Sequence, residues 1–206
     1  MNKNSDSAGS LPLMEAFYTI QGEGYHQGTP AYFIRLGGCD VGCHWCDVRE
    51  SWDVAGHPRV EPRDIVKQAV SGPSRIAVIT GGEPCMHDLE DLTRRLHRAG
   101  FRNHLETSGA YPLTGKWDWI CLSPKKLKPA QESVFPAANE LKVIIYNRSD
   151  FKWAEEQREK VNDRCKLFLQ PEWSKMNALM NEIVDYAKEN PAWNISLQIH
   201  KFMNIP

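Results

Sequence analysis

The sequence predicts an α/β protein: an incomplete, partial TIM-like β/α barrel with a reduced helix complement and its active site at the C-terminal ends of the strands. Three observations carry this expectation. Short apolar runs rich in β-branched and aromatic residues alternate with amphipathic helical patterns, which is the signature of a parallel sheet. The chain has 206 residues, whereas a closed eight-fold barrel typically needs about 250. The chemically unusual residues fall just after the strand-like runs, where parallel α/β folds build their sites.

Taken in order, residues 1–10 ("MNKNSDSAGS") are small and polar and read as a flexible leader, leaving residues 11–206 as one domain that includes the tail. The expected strands are Ala31–Leu36, Arg75–Thr80, Phe101–Thr107, Trp117–Leu122, Glu140–Tyr146, Lys166–Gln170 and Ile195–Ile199. Helix patterns lie between several of them. "EPRDIVKQAVSG" has Pro62 in its first turn and Gly72 as a stop. "DLEDLTRRLHRAG" offers Asp88 as N-cap, acids early, bases late and Leu89, Leu92 and Leu96 along one face. "SDFKWAEEQREKVN" and "SKMNALMNEIVDYAKEN" supply two more. No internal repeat or low-complexity tract interrupts the series.

Composition excludes several classes. With 41% hydrophobic and 25% charged residues the chain is ordinary for a globular protein, and a net charge of −1 provides no global field for nucleic acid or an anionic membrane. No apolar run approaches the roughly 20 residues that span a bilayer. A cytoplasmic location is expected, with no membrane and no nucleic acid among the partners. Six cysteines do not indicate disulfides in a chain of this size without an export signal. Cys121 and Cys165 lie in or beside strand-like runs and read as buried thiols.

Cys39, Cys43 and Cys46 are different. "CDVGCHWC" is a C-x3-C-x2-C loop that brings three thiolates into one small volume. Spacing alone leaves two readings open: a structural zinc, with His44 as the remaining ligand of a closed cage, or a [4Fe–4S] cluster held by three thiolates with one iron left open. The loop, the aromatic residue before its last cysteine and the downstream "TGGEP" (Thr80–Pro84) together resemble the radical S-adenosylmethionine superfamily. That resemblance implies the cluster and S-adenosylmethionine as cofactors, the open iron holding the amino and carboxylate groups of the latter. In this reading Gly81 and Gly82 let backbone approach the bound amino acid moiety.

The motifs "YTIQGEG" before the first cysteine, "RLGGC" leading into it, "ETSG" and "SPK" downstream and the tail "LQIHKFMNIP" resemble the 7-carboxy-7-deazaguanine synthase family, from about Glu15 to Pro206. The resemblance implies a carbon–nitrogen lyase of queuosine and 7-deazapurine biosynthesis. Its substrate would be 6-carboxy-5,6,7,8-tetrahydropterin, contracted to 7-carboxy-7-deazaguanine with loss of ammonia. Hydrogen would be taken from C6 of the pterin and returned after rearrangement, so that S-adenosylmethionine is regenerated. The resemblance further implies that Gly81, Gly82, Glu83, Glu106, Thr107, Ser108, Ser123, Lys125 and Gln170 contact the cofactor. Gln21, Glu23, Arg35, Thr80 and His200 would bind the substrate, as would the terminal carboxylate at Pro206. No side chain is expected to act beyond positioning. Chemically, the planar fork of Arg35 suits the pterin carboxylate, and Glu23 suits its amine–amide edge as an acceptor. The bland alternatives are a strand-ending turn for Ser123, a solvated charge pair for Lys125–Lys126 and a structural histidine for His200.

One triplet departs from the family. Many relatives have threonine after the Cys–Asp pair, where it helps hold Mg²⁺. Here Asp47 is followed by Val48, which has no ligand atom. Either Asp47 or water substitutes, or Mg²⁺ stimulation is weaker than in threonine-bearing relatives. A homodimer and an external electron donor such as flavodoxin follow from the resemblance. The competing functions are an activase that makes a glycyl radical in a partner protein, a zinc-stabilised interaction module and a tRNA-acting enzyme. No basic stripe supports the last of these.

Overall fold

The computed structural model describes residues 9–206; residues 1–8 of the expected leader lie outside the described part. Ser10 is buried and bonded to the Arg59 guanidinium. Among the described residues, nine strands form one open sheet in the order β3-β1-β2-β4-β5-β6-β7-β8-β9. They are β1 (Leu11–Ile20), β2 (Pro30–Leu36), β3 (Arg59–Val60), β4 (Ile76–Gly81), β5 (Arg102–Thr107), β6 (Trp119–Leu122), β7 (Glu140–Ile145), β8 (Lys166–Pro171) and β9 (Trp193–Ile195). From β2 to β9 all pairings are parallel, while β1 runs antiparallel to both β2 and β3. The sheet does not close, so the fold is the partial barrel expected.

Helices α1 (Pro62–Val70), α2 (Glu90–Arg98), α3 (Ser149–Arg158) and α4 (Met176–Glu189) cover its outer face, and the β5–β6 and β6–β7 connections carry no α-helix. Alternation along each strand decides what faces where. Ile34, Leu36, Ala77 and Ile79 pack outward on Ile65 and Ala69 of α1 and on Leu92 and Leu96 of α2. Leu141, Val143, Ile145, Leu167 and Leu169 do the same with Ala154 of α3 and with Leu179 and Ile183 of α4. The intervening residues, including Thr80, Glu106, Lys142 and Gln170, point inside the barrel, where all four line a common cavity.

Two local expectations are corrected. Asp88 lies one residue ahead of the α2 cap, its Oδ1 accepting from the Glu90 N–H at 3.0 Å. The strand expected over Ile195–Ile199 ends at Ile195, and Ile199 opens a short helix, α5 (Ile199–Met203). The alternating "ISLQI" pattern arises because this segment crosses the barrel mouth instead of extending the sheet. The Ser196 N–H still donates to Leu169 O at 2.9 Å, but the Ile199 N–H donates to Gly22 O at 2.9 Å, on the loop between β1 and β2.

Candidate active site

The β2 exit supplies the cysteine loop. Its base closes on itself through Gly38 N–H to Ser51 O at 2.6 Å and Cys39 N–H to Trp52 O at 3.2 Å. The Trp52 indole N–H points at Cys46 Sγ, 3.3 Å away. All three thiols are free, partly buried and open to a cavity of about 260 Å³ inside the rim. Burial raises the pKa of Cys39 and Cys43 above the ordinary thiol range, which metal binding would reverse by deprotonating them.

The Gly81–Gly82 turn pins this loop. A Cβ on Gly81, whose φ is +129°, would meet Leu36 O at 2.1 Å, and one on Gly82 would meet Gly38 O at 2.2 Å. The Gly82 and Glu83 N–H groups donate to Leu36 O and Gly38 O at 2.9 and 2.8 Å. The glycines are therefore required by the docking of the cysteine loop itself, in addition to any approach of a ligand. Glu83, 1% exposed, ties the β4 and β5 exits together. It accepts from Cys85 N–H at 3.0 Å, Thr107 Oγ1 at 2.5 Å, Ser108 N–H at 2.8 Å and the Ser108 hydroxyl. That carboxylate is saturated with hydrogen bonds from within the chain.

Lys125, behind Ser123, donates to the Ser123 hydroxyl at 2.7 Å and to its carbonyl. Burial lowers its pKa, offset in part by the neighbouring Cys43. Gln170 is buried, its Oε1 accepting from Ser196 Oγ at 2.7 Å.

The opposite wall comes from the β1–β2 hairpin tip, Gln21–Thr29, which folds into the barrel. Gln21 Nε2 donates to Glu106 Oε1 at 3.1 Å, Gly24 N–H to Ser196 Oγ at 2.9 Å and Tyr25 N–H to Glu140 Oε2 at 3.2 Å. Lys142 Nζ, from β7, bridges Glu23 Oε2 at 2.6 Å and Glu106 Oε2 at 3.0 Å. Burial alone would raise the pKa of Glu23, but the Lys142 charge and hydrogen bonds from Lys142 and Gln198 hold it down at about 2.

The structure thus gathers most of the expected residues around one cavity: the three cysteines and Asp47, Glu23 from the hairpin, Thr80 to Glu83, Glu106 to Ser108, and Ser123, Lys125 and Gln170. Four stand apart from its lining. Gln21 reaches the cavity only by its hydrogen bond to Glu106. Arg35 is paired with Glu15 of β1 at 2.7 Å and lies over the Phe17 ring. His200 packs on Gly22, and burial lowers its pKa. Pro206 does not line the cavity.

Sequence reasoning missed Lys142, Gln198 and Lys201, all of which line the cavity. Lys142 carried a signal: a lysine inside the apolar run "ELKVIIY" is rarely buried unless it is paired. Gln198 and Lys201 fall within the tail motif "LQIHKFMNIP", which gave them no role of their own; they reach the site because the tail crosses the barrel mouth.

The donor set fits a cluster better than a single metal ion. Three soft thiolates sit on one loop, a donor set that suits iron–sulfur ligation. An open parallel barrel with three thiolates at the β2 exit and a paired-glycine turn beside them defines a radical S-adenosylmethionine enzyme, and residues 33–124 match the Radical SAM superfamily. Over 196 residues the chain is 59% identical to the 7-carboxy-7-deazaguanine synthase of Flavobacterium psychrophilum, covering 95% of this chain and 93% of the relative. It is 50% identical to that of Synechocystis, covering 95% and 94%. The crystal structure of QueE from Escherichia coli superposes with a TM-score of 0.81 at 30% identity, covering 91% of this chain and 93% of that one. The chain belongs to the 7-carboxy-7-deazaguanine synthase family.

Proposed function

We propose that the chain converts 6-carboxy-5,6,7,8-tetrahydropterin to 7-carboxy-7-deazaguanine with loss of ammonia. The observation that carries this reading is the joining, in one cavity, of a three-thiolate loop and an acid-lined wall suited to a pterin edge. Cys39, Cys43 and Cys46 would hold a [4Fe–4S] cluster, which with bound S-adenosylmethionine supplies the carbon radical that takes a hydrogen atom from the substrate.

The chain's own residues bind and orient. Gly82 and Ser123 offer close backbone and a hydroxyl on the cofactor side, and Lys125 places a cation beside Cys43. Glu23 presents acceptors to the amino-pyrimidinone edge. Among the described residues the Arg35 guanidinium bonds to Glu15 alone, which leaves further N–H donors for the substrate carboxylate. The tail across the mouth excludes water, and holding one hydrogen near the reacting carbon is worth more here than any proton transfer.

Mg²⁺ belongs to the proposal in weakened form. Val48 brings no ligand atom, and Lys201 Nζ already neutralises Asp47 Oδ2 at 3.0 Å. All six cysteines are free, which suits a reducing, cytoplasmic compartment. No helix among the described residues is long and apolar enough to cross a membrane. The homodimer and a flavodoxin-like electron donor rest on family resemblance alone.

The test is an anaerobic assay of reconstituted protein with reductant, S-adenosylmethionine and the pterin, read by mass spectrometry. The expected result is 7-carboxy-7-deazaguanine, formed with less Mg²⁺ stimulation than in a threonine-bearing relative. Deoxyadenosine without that product would replace the reading with an activase. Neither, from protein with an intact cluster, would overturn it altogether.

A further inference from the structure

Lys142 has no part in the steps above, yet its side chain is only 5% exposed and touches two acids of the cavity wall, Glu23 and Glu106. The remaining oxygens are held by amides: Glu23 Oε1 by Gln198 Nε2 at 2.8 Å and Glu106 Oε1 by Gln21 Nε2 at 3.1 Å. Among the described residues, each Glu23 oxygen therefore has one donor and keeps a lone pair for something else, while Glu106 also meets the Cys121 thiol. Without a cation between them, two carboxylates on one cavity would repel. One would take up a proton and become a donor.

We propose that Lys142 is a positioning residue that sets substrate specificity: it holds Glu23 and Glu106 as an ionised, oriented acceptor pair, so that the cavity selects a heterocycle edge with two adjacent N–H donors. The inference rests on the pterin reading above and names the residue that makes it selective. In the 2-amino-4-oxo ring of a pterin, N3–H and the exocyclic amine form such an edge, matching the two oxygens of one carboxylate. A ring with a carbonyl in place of the amine sets lone pair against lone pair. A site built to satisfy a donor discriminates strongly against the analogue lacking it, because the buried acceptor is then unpaired. The electrostatics agree. Burial works against the Lys142 ammonium, yet Cys121, Glu106 and Glu23 around it raise its pKa well above the ordinary lysine range.

The test is calorimetric titration of the anaerobically reconstituted full chain, with S-adenosylmethionine present, using two probes that do not turn over: 6-carboxypterin and 6-carboxylumazine. The unaltered chain should bind the pterin at least about tenfold tighter. In Lys142→Met the preference should shrink to within about twofold. Should that variant fold poorly, Lys142→Met/Glu106→Gln removes one charge of each sign, and it should melt near the parent temperature and still lack the preference. Either variant, folded and still strongly preferring the pterin, would reduce Lys142 to a structural counter-ion and overturn the proposal. An unaltered chain that binds both probes equally would also overturn it while leaving the pterin reading intact. Binding of neither probe would bring down the pterin reading as well.

Discussion

His104 shows how one buried side chain ties stability to pH. It lies on the inner face of β5 with its ring 4.5 Å from His26 and 6.4 Å from Trp119, and its Nε2 is buried with no hydrogen-bond partner among the described residues. Burial first, then the neighbouring His26 and Arg102, push its pKa from 6.5 down to about 4. The folded state prefers the neutral ring. That contribution is complete above about pH 6.5 and is lost as pH falls towards 4, on the order of 3 kcal/mol by linkage. Glu140 works in the opposite sense: burial raises its pKa from 4.5 to about 7, so its contribution is complete below 4.5 and is lost as pH rises through 7. Because the two oppose each other, they separate only in variants. Urea unfolding from pH 7.5 to 4.5 should show His104→Phe gaining stability relative to the parent on the acid side. A constant difference across that range would contradict the assignment. At this scale the sequence was half legible. The thiols announced themselves by spacing, whereas the partners of Lys142 and Glu140 depend on which strands become neighbours, and no local pattern encodes that.

Among the elements, the decisive contact is between the β4 exit and the cysteine loop. Gly82→Ala would drive a Cβ to 2.2 Å from backbone at Gly38, and backbone cannot swing aside as a flexible side chain does. We expect a loss of about 1–3 kcal/mol from overpacking and a several-fold drop in iron per chain after reconstitution, measured by metal analysis. Gly28→Ala is the control, since its φ is +86° with nothing within 4 Å. It should cost only about 1 kcal/mol of backbone strain and leave iron content unchanged. The parallel strands β4 to β8 were legible because strands buried on both faces read as continuous apolar runs. β1 was not read as a strand: it carries Pro12 and Glu15, half-exposed positions and an antiparallel edge. β3 has two residues, too few for any periodicity.

Over the whole molecule, function follows from topology. Parallel strands deliver their C-terminal ends to one rim, the hairpin tip fills the barrel from one side, and the tail crosses the mouth. The rim was readable because each loaded loop follows a strand. The closure was not, because Gln21–Gly24 and Ser196–Ile199 meet across more than 170 residues of chain, as the Gly24 N–H to Ser196 Oγ bond shows. The central claim is that three thiolates hold one cluster whose fourth iron is left for S-adenosylmethionine. Electron paramagnetic resonance of the reduced, reconstituted chain tests it most directly. A single cubane signal that changes on adding S-adenosylmethionine, and is lost in Cys43→Ala, is the predicted result. A signal indifferent to S-adenosylmethionine, or one that survives Cys43→Ala unchanged, would contradict it.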